Sequence, residues 1–212
     1  SVCALCLAAC LAGAGAFGQS GITVDLGTAS GNPGDTVELE VTLALGDTAP
    51  ATIVLVLDYD PAVLRPDLDY YEITQTDLAG DPVTFRSAVD PGPVVEAAGK
   101  AVELNERDPI GGQLAIAITG VNERVMSAGT LFDLAMSIQA GTPLGTTAVL
   151  AGNPESSASS ADGHQDLAVS FGDGEIGVGC EVPETPVNLS ATSGQAAGVQ
   201  VSWGAVAGTG IE

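Results

Sequence analysis

Basic side chains are nearly missing from this sequence. Lys and Arg together number 5 in 212 residues, against 27 Asp and Glu, for a formal net charge of −22. Phosphate contacts need clustered Lys and Arg, so the shortage excludes direct DNA or RNA binding and counts equally against an anionic lipid surface. Histidine is almost absent too. The single one, His164, lies in Asp162-Gly163-His164-Gln165-Asp166 with no Cys or second His nearby, and reads as a solvent-exposed loop residue rather than a metal ligand or general base. Aromatics make up 4% of the chain. A sugar platform needs exposed rings in a row, and the candidates are few: Tyr70, Tyr71, Phe85, Phe132, Phe171 and Trp203. Of these only the adjacent Tyr70-Tyr71 pair is expected at the surface, with one of its two rings in the core.

Cysteine is scarce where it would matter. Cys3, Cys6 and Cys10 all fall in the apolar stretch Ser1 to Gly18, which leaves Cys180 alone. The remainder therefore has no internal disulfide and must be held by its core, with Cys180 left to pair outside this sequence. No Cys/His spacing suited to zinc survives. The stretch 1–18 carries no charge and reads as a secretory signal peptide, with Ala16 and Gly18 at the positions a signal peptidase requires and cleavage before Gln19. Leu7-Ala8-Ala9-Cys10 offers a second reading, a lipobox with an acylated Cys10. It ranks lower because the residues after Cys10 stay apolar through Phe17. A membrane anchor ranks third, the run being short for a bilayer.

What is present, from Gly21 onward, is a series of short Val-, Ile- and Leu-rich runs broken by Gly, Pro, Asp and Asn, the pattern of an all-β sandwich. Nine strands are expected: Ile22–Leu26, Thr36–Leu45, Thr52–Tyr59, Val83–Ser87, Gln113–Val121, Thr130–Gln139, Thr146–Ala151, Leu167–Phe171 and Glu175–Val178. Over 36–45 the alternation is clean, Val37, Leu39, Val41, Leu43 and Leu45 facing one way and Glu38 and Glu40 the other, so one face is core and one is wet. Asn32-Pro33-Gly34-Asp35 is a tight turn, and Pro61, lacking the ladder donor, ends the third strand. Tyr59 shares parity with Ile53, Leu55 and Leu57 and is expected to bury its ring, while Asp60 bonds the backbone of the turn. The segment 67–79 reads as a loop with a short strand around Tyr71-Glu72-Ile73; Ala62-Val63-Leu64 is too short for a helix; 153–165 reads as an exposed loop. Residues 180–186 form a Pro-containing linker.

Four stretches in order resemble one known family. Val54-Leu55-Val56-Leu57-Asp58-Tyr59-Asp60-Pro61-Ala62-Val63-Leu64 is similar to the apolar strand ending in Y-D-P-x-V-L of bacterial cohesin domains. Gly34-Asp35-Thr36-Val37, Gly129-Thr130-Leu131, and Ala161-Asp162-Gly163 with Gly174-Glu175-Ile176-Gly177-Val178 resemble the family's G-D-x-V, G-T-L and closing D-G and G-x-I-x-V stretches. The resemblance spans nearly all of 21–179. It implies a nine-stranded jelly-roll β-sandwich, related to carbohydrate-binding modules, in a domain covering 19–179. It also implies a non-catalytic, monomeric module that docks a dockerin-bearing protein partner through one face, without a cofactor.

On that face the outward residues of the third strand are Thr52, Val54, Val56 and Asp58. The cellulosomal pattern favours polar and acidic groups near Thr52 and Val54, and this sequence departs from it. Val54 and Val56 beside outward Ala115, Ala117 and Ala135 would make a flat apolar patch for a partner, unless a loop covers them. A carbohydrate-binding module and an acidic structural spacer are the alternatives. Pairs such as Asp58/Asp60 and Asp67/Asp69 are expected by chance among 27 acidic residues and sit in no glycosidase context. Asp162, Asp166, Asp173 and Glu175 are calcium candidates by chemistry but lack EF-hand spacing. Beyond the linker, residues 187–212 resemble the start of a fibronectin type III domain, with two strand patterns and Trp203, and are expected to pack weakly.

Overall fold

The computed structural model describes residues 21–76, 81–161, 163, 165–179, 190–192 and 200–202. The stretch 1–18 read as a signal peptide, Asp162, His164, Cys180, the stretch 180–186 read as a linker, and Trp203 lie outside them. Strands occupy Gly21–Asp25 (β1), Thr28–Gly31 (β2), Thr36–Leu45 (β3), Thr52–Asp58 (β4), Leu64–Pro66 (β5), Tyr71–Thr76 (β6), Pro82–Ser87 (β7) and Val89–Pro91 (β8). A short helix, Pro93–Ala98 (α1), precedes Ala101–Asp108 (β9), Gln113–Thr119 (β10), Gly129–Ile138 (β11), Thr147–Gly152 (β12), Ser157–Ser159 (β13), Asp166–Gly172 (β14) and Gly174–Val178 (β15). Ser190–Thr192 (β16) and Gln200–Ser202 (β17) pair antiparallel as a separate two-stranded unit.

Two layers face one another. In the first, β9, β10 and β4 are antiparallel neighbours, and the far edge of β4 is paired by β12 and then β13. In the second, β14, β1, β3 and β11 follow in order, and the far edge of β11 is paired by β5 and then β8. β14 also bonds β13, so the hydrogen-bond network continues around that corner. Between the layers lie Ile53, Leu55 and Leu57 of β4, Leu114, Ile116 and Ile118 of β10, Leu39, Val41 and Leu43 of β3, and Phe132, Leu134 and Met136 of β11, all buried. Each such side chain stabilises by roughly 1.5–3 kcal/mol, which explains how a sandwich of this size stands without a cross-link.

The all-β sandwich expectation holds, the described residues being mostly β-strand with one short helix, but the count of nine strands is not exact. Bends and insertions divide the strands into fifteen segments between 21 and 178. A hairpin of β6 and β7 is inserted between β5 and β8, which both pair β11, and residues 153–156 separate β12 from β13, which both pair β4. Three elements escaped the reading by alternation, the first two with signals of their own and the third without one. In α1, Pro93 sits at the first helical position and Gly99 ends the helix in the left-handed region at φ 63°. In β9 the exposed Glu103, Asn105 and Arg107 alternate with Val102 and Leu104, but the charges mask an edge strand. Ser157–Ser159, within the stretch expected to be a loop, is held as a strand by β4 and β14.

The corner after β4 forms as expected. Tyr59 is buried, and Asp60 Oδ1 accepts the Ala62 N–H at 2.9 Å. The Tyr59 N–H in turn donates to the Gly112 carbonyl at 2.8 Å. Gly112, at φ 74°, is pressed so closely on the Tyr59 carbonyl that a Cβ there would overlap it. This contact locks the β9–β10 turn onto the end of β4.

Candidate partner-docking face

Strand registers place the outward residues of the first layer in rows. Ala117 stands opposite Val54 on one side and Glu103 on the other, and Val54 in turn opposite Ser157, giving the row Glu103, Ala117, Val54, Ser157. The next row is Asn105, Ala115, Val56, and the one after it Gln113, Asp58, Ala151. Val54, Ala115, Ala117 and Thr52 are half-buried, as expected for small side chains on a flat sheet surface. Val54, Ala115 and Ala117 thus stand side by side on the outer surface of the first layer.

Two residues assigned to it are placed elsewhere. Val56 points outward by parity but is only 2% exposed. Segment 153–156 closes over it: Ser156 Oγ accepts the Val56 N–H at 2.8 Å and donates back to its carbonyl at 3.2 Å, and the Asn153 N–H donates to the same carbonyl at 2.8 Å. The loop-covered alternative is thus correct for Val56 and not for Val54. Ala135 lies in the second layer, opposite Glu38, and is fully buried. Its N–H and carbonyl are taken by the Ala88 carbonyl and the Asp67 N–H, and Tyr71 Oη donates to Glu38 Oε1 at 2.7 Å, so the chain around 67–71 crosses over it. Parity alone shows that a residue points outward; it cannot show on which layer.

Asp58 is positional. Its Oδ1 accepts from Gln113 Nε2 at 2.9 Å and its Oδ2 from Asn153 Nδ2 at 2.7 Å, which ties β10, β4 and segment 153–156 together at one end of the face. At the same end Arg107 of β9 pairs with Glu155, reaching across β10 and β4. Both side chains are exposed, so the pair adds little stability, but it stands over the floor beside Val56 and Ala115. The carboxylate of Glu103, by contrast, is exposed and makes no hydrogen bond or ion pair with any described residue.

The remaining titratable groups among the described residues lie apart from this face. On the outer face of the second layer, Asp133 stands opposite both Glu40 and Asp90. Burial, and then the charges of Glu38, Glu40 and Asp90, push its carboxyl above the usual range. Lys100 lines a cleft of about 560 Å³ between β6, β8, the end of α1 and β9. Burial lowers its ammonium pKa, and Nζ is committed to the Asn122 carbonyl at 2.8 Å; Glu72, Asp90 and Glu96 around the same cleft repel anions. Of the calcium candidates, Asp166 begins β14 while Asp173 and Glu175 follow its far end, a strand length of roughly 20 Å away. Among the described residues no group of three or more His, Cys, Asp or Glu is placed to hold a metal ion. The aromatic rings are dispersed: Tyr70 is exposed in edge contact with Tyr71, Phe85 is exposed on β7, Phe132 is in the core, and Phe171 packs on Gly152.

The comparisons with known proteins agree with this architecture. The sixth cohesin of scaffoldin B from Acetivibrio cellulolyticus, solved with a Cel5 dockerin mutant, superposes with a TM-score of 0.56 at 17% identity, covering 74% of this chain and 99% of that one. CaCohA2 from Clostridium acetobutylicum gives 0.54 at 22% identity over 78% and 95%. A non-cellulosomal cohesin from the archaeon Archaeoglobus fulgidus gives 0.52 at 17% identity over 74% and 91%. No curated protein sequence matches the chain. The family model described as the cohesin domain matches residues 22–178, from β1 to the last residue of β15, and the chain therefore belongs to the cohesin domain family.

Proposed function

We propose that this chain is a non-catalytic extracellular docking module that binds a dockerin-bearing protein through the outer face of β9, β10, β4 and β13. The observation that carries the reading is the flat floor of Val54, Ala115 and Ala117 in adjacent register rows, on the fold of cohesins that have been solved with dockerins bound. Small apolar side chains on a rigid sheet let a partner approach closely and exclude water at low entropic cost. Among the described residues no titratable group is paired as nucleophile and base, and the Lys100 ammonium is already committed, which supports a binding role. An apolar, uncharged 1–18 supports export, and no helix among the described residues is long and apolar enough to cross a membrane. The antiparallel pair β16 and β17 supports reading 187–212 as the start of a fibronectin type III domain joined by a linker.

The test is isothermal titration calorimetry of the full chain against dockerin modules encoded in the same genome, in calcium and in EDTA, with a pelleting assay on insoluble polysaccharide from the same preparation. Saturable binding of a dockerin, lost in EDTA, is the expected result. Retention on polysaccharide with no dockerin bound would replace the reading with a carbohydrate-binding module, and binding of neither would leave a spacer.

A further inference from the structure

The cleft of about 560 Å³ beside the inserted hairpin is walled by Ile73 of β6, Pro91 of β8, the junction of α1 with β9, and Val121 just past β10. Its size is within the range of small-molecule sites. Lys100, the one lysine in the sequence, lines it and is only 8% exposed. Nζ donates to the Asn122 carbonyl at 2.8 Å and Asn122 Nδ2 donates to the Gly99 carbonyl at 2.9 Å, so the ammonium is fixed in place by one of its three donors. The carboxylates of Glu72, Asp90 and Glu96 line the same cleft. None of them pairs with Lys100; among the described residues only Glu72 of the three makes an ion pair, with exposed Arg86 at 3.3 Å. A donor and three acceptors thus share one opening without satisfying one another. The apolar walls are set beside them. Ile73 stands opposite Phe85 in the hairpin register, on the same face, and Phe85 is 38% exposed. Val121 is fully exposed, yet the loop that carries it is held: the Arg124 N–H donates to Asn122 Oδ1 at 3.0 Å, the Met126 N–H donates to the Pro50 carbonyl at 2.8 Å, and Met126 is buried.

We propose that this cleft is a saccharide site, taking one or two rings of a sugar that bears no acid group. A hydroxyl both donates and accepts. Those of the sugar near Lys100 accept from the ammonium, those near Glu72, Asp90 and Glu96 donate to the carboxylates, and the C–H face of a ring lies on Ile73 and Phe85. A cleft that grips hydroxyls in this way does not need the row of rings that a flat platform does. Other ligand classes fit less well. An anion is repelled by three carboxylates and by the field of a chain at −22. A cation suits the carboxylates but leaves the spare donors of Lys100 facing a like charge, and a purely aliphatic ligand leaves every polar group of the cleft unmet. Because the loop and the hairpin base are already in place, little ordering is needed on binding. None of these groups belongs to the row Glu103, Ala117, Val54 and Ser157, so the inference does not rest on the docking reading.

The experiment is a heteronuclear NMR titration of the isotopically labelled full chain with cellobiose, maltose, lactose, glucuronate and N-acetyl-lysine amide as probes. Saturable shifts of the Ile73, Gly99, Gly120 and Val121 amides with at least one of the three neutral disaccharides are expected, and no response to glucuronate. Lys100→Met keeps the buried stem and removes the donors, and is expected to weaken that binding about tenfold or more. Since the same change releases Asn122, Phe85→Ala serves as the second variant: it alters an exposed hairpin position, is expected to weaken binding about threefold, and should leave the unfolding midpoint unchanged. Absence of shifts with all three disaccharides, shifts only elsewhere in the molecule, or an affinity unchanged in both variants overturns the proposal. Tighter binding of N-acetyl-lysine amide than of every disaccharide also overturns it and assigns the cleft to a cationic side chain of a peptide. Titration with a dockerin is read separately, so the docking reading stands or falls on its own result.

Discussion

Replacing Gly112 by Ala tests how the turn that joins β9 and β10 is attached to the rest of the domain. Two costs add. A non-glycine residue at φ 74° enters the left-handed region, at about 1–2 kcal/mol. The new Cβ would also overlap the Tyr59 carbonyl oxygen and the Pro61 ring. Backbone must move to relieve that, and the first bond to go is Tyr59 N–H to Gly112 carbonyl, now 2.8 Å and worth about 1 kcal/mol. The expected destabilisation is about 3 kcal/mol. With a urea slope of about 2–3 kcal/mol/M, the midpoint falls by about 1 M or slightly more. Gly145→Ala is the matched control, because Gly145 also has a positive φ, 81°, but a Cβ there meets nothing within 4 Å; it should cost only the conformational part, about 1 kcal/mol. Urea unfolding followed by far-UV circular dichroism measures both. If Gly112→Ala lowers the midpoint no more than Gly145→Ala does, the turn is not wedged against the corner and the argument from close approach is wrong.

Asp133→Asn should stabilise the fold at neutral pH by about 0.5 kcal/mol, since like charges stand directly opposite it in Glu40 and Asp90. Because the folded carboxyl is raised above its ordinary value, the folded state holds that proton more tightly. Stability is therefore lost as pH rises from the ordinary carboxylate range through the raised folded value, and the variant's advantage, read from paired unfolding midpoints, should vanish as pH falls through that window. Asp58→Ala leaves the Gln113 and Asn153 amides without their acceptor, at a cost of about 1–2 kcal/mol. It should also speed amide exchange at Val56 and Asn153, and unchanged exchange there would mean that segment 153–156 holds itself in place. Tyr59 and Tyr71 are both raised, mainly by burial and then by Glu106 and Glu38 respectively, so spectrophotometric titration of the folded chain should lack part of the signal of its three tyrosines until the fold opens in alkali. Full reversible ionisation of all three near pH 10 would contradict both environments.

The parts of the fold legible in the sequence are those whose two faces see different solvents. Glu38 and Glu40 alternate with Val37, Leu39 and Val41 because β3 has core on one side and water on the other, and that strand is found with its expected bounds. Elements decided by tertiary partners were harder to read. Ser157–Ser159 has no apolar run of its own and becomes a strand because β4 offers it an edge. The candidate face shows the same division. Alternation puts Val54, Ala115 and Ala117 on the outer side of their strands, where the registers also have them, but nothing local to Val56 announces that Ser156, a hundred residues on, will bind its peptide group, and nothing local to Ala135 tells which layer β11 joins. That the exposed carboxylate of Glu103 meets no described partner is invisible from sequence for a related reason: among 27 acidic residues, being unpaired is a property only of the arrangement.

The first two strands of the domain run parallel to the last two. β1 pairs with β14 from Gly21↔Ala168 to Asp25↔Gly172, and β2 with β15 from Thr28↔Glu175 to Gly31↔Val178. Tension entering before Gly21 and leaving after Val178 would pull these strands in opposite senses along their own axes. The hydrogen bonds between them would then be loaded together in shear rather than opened one after another as in a zipper. A module whose ends are joined in this way resists being drawn out lengthwise, whatever it holds on its face.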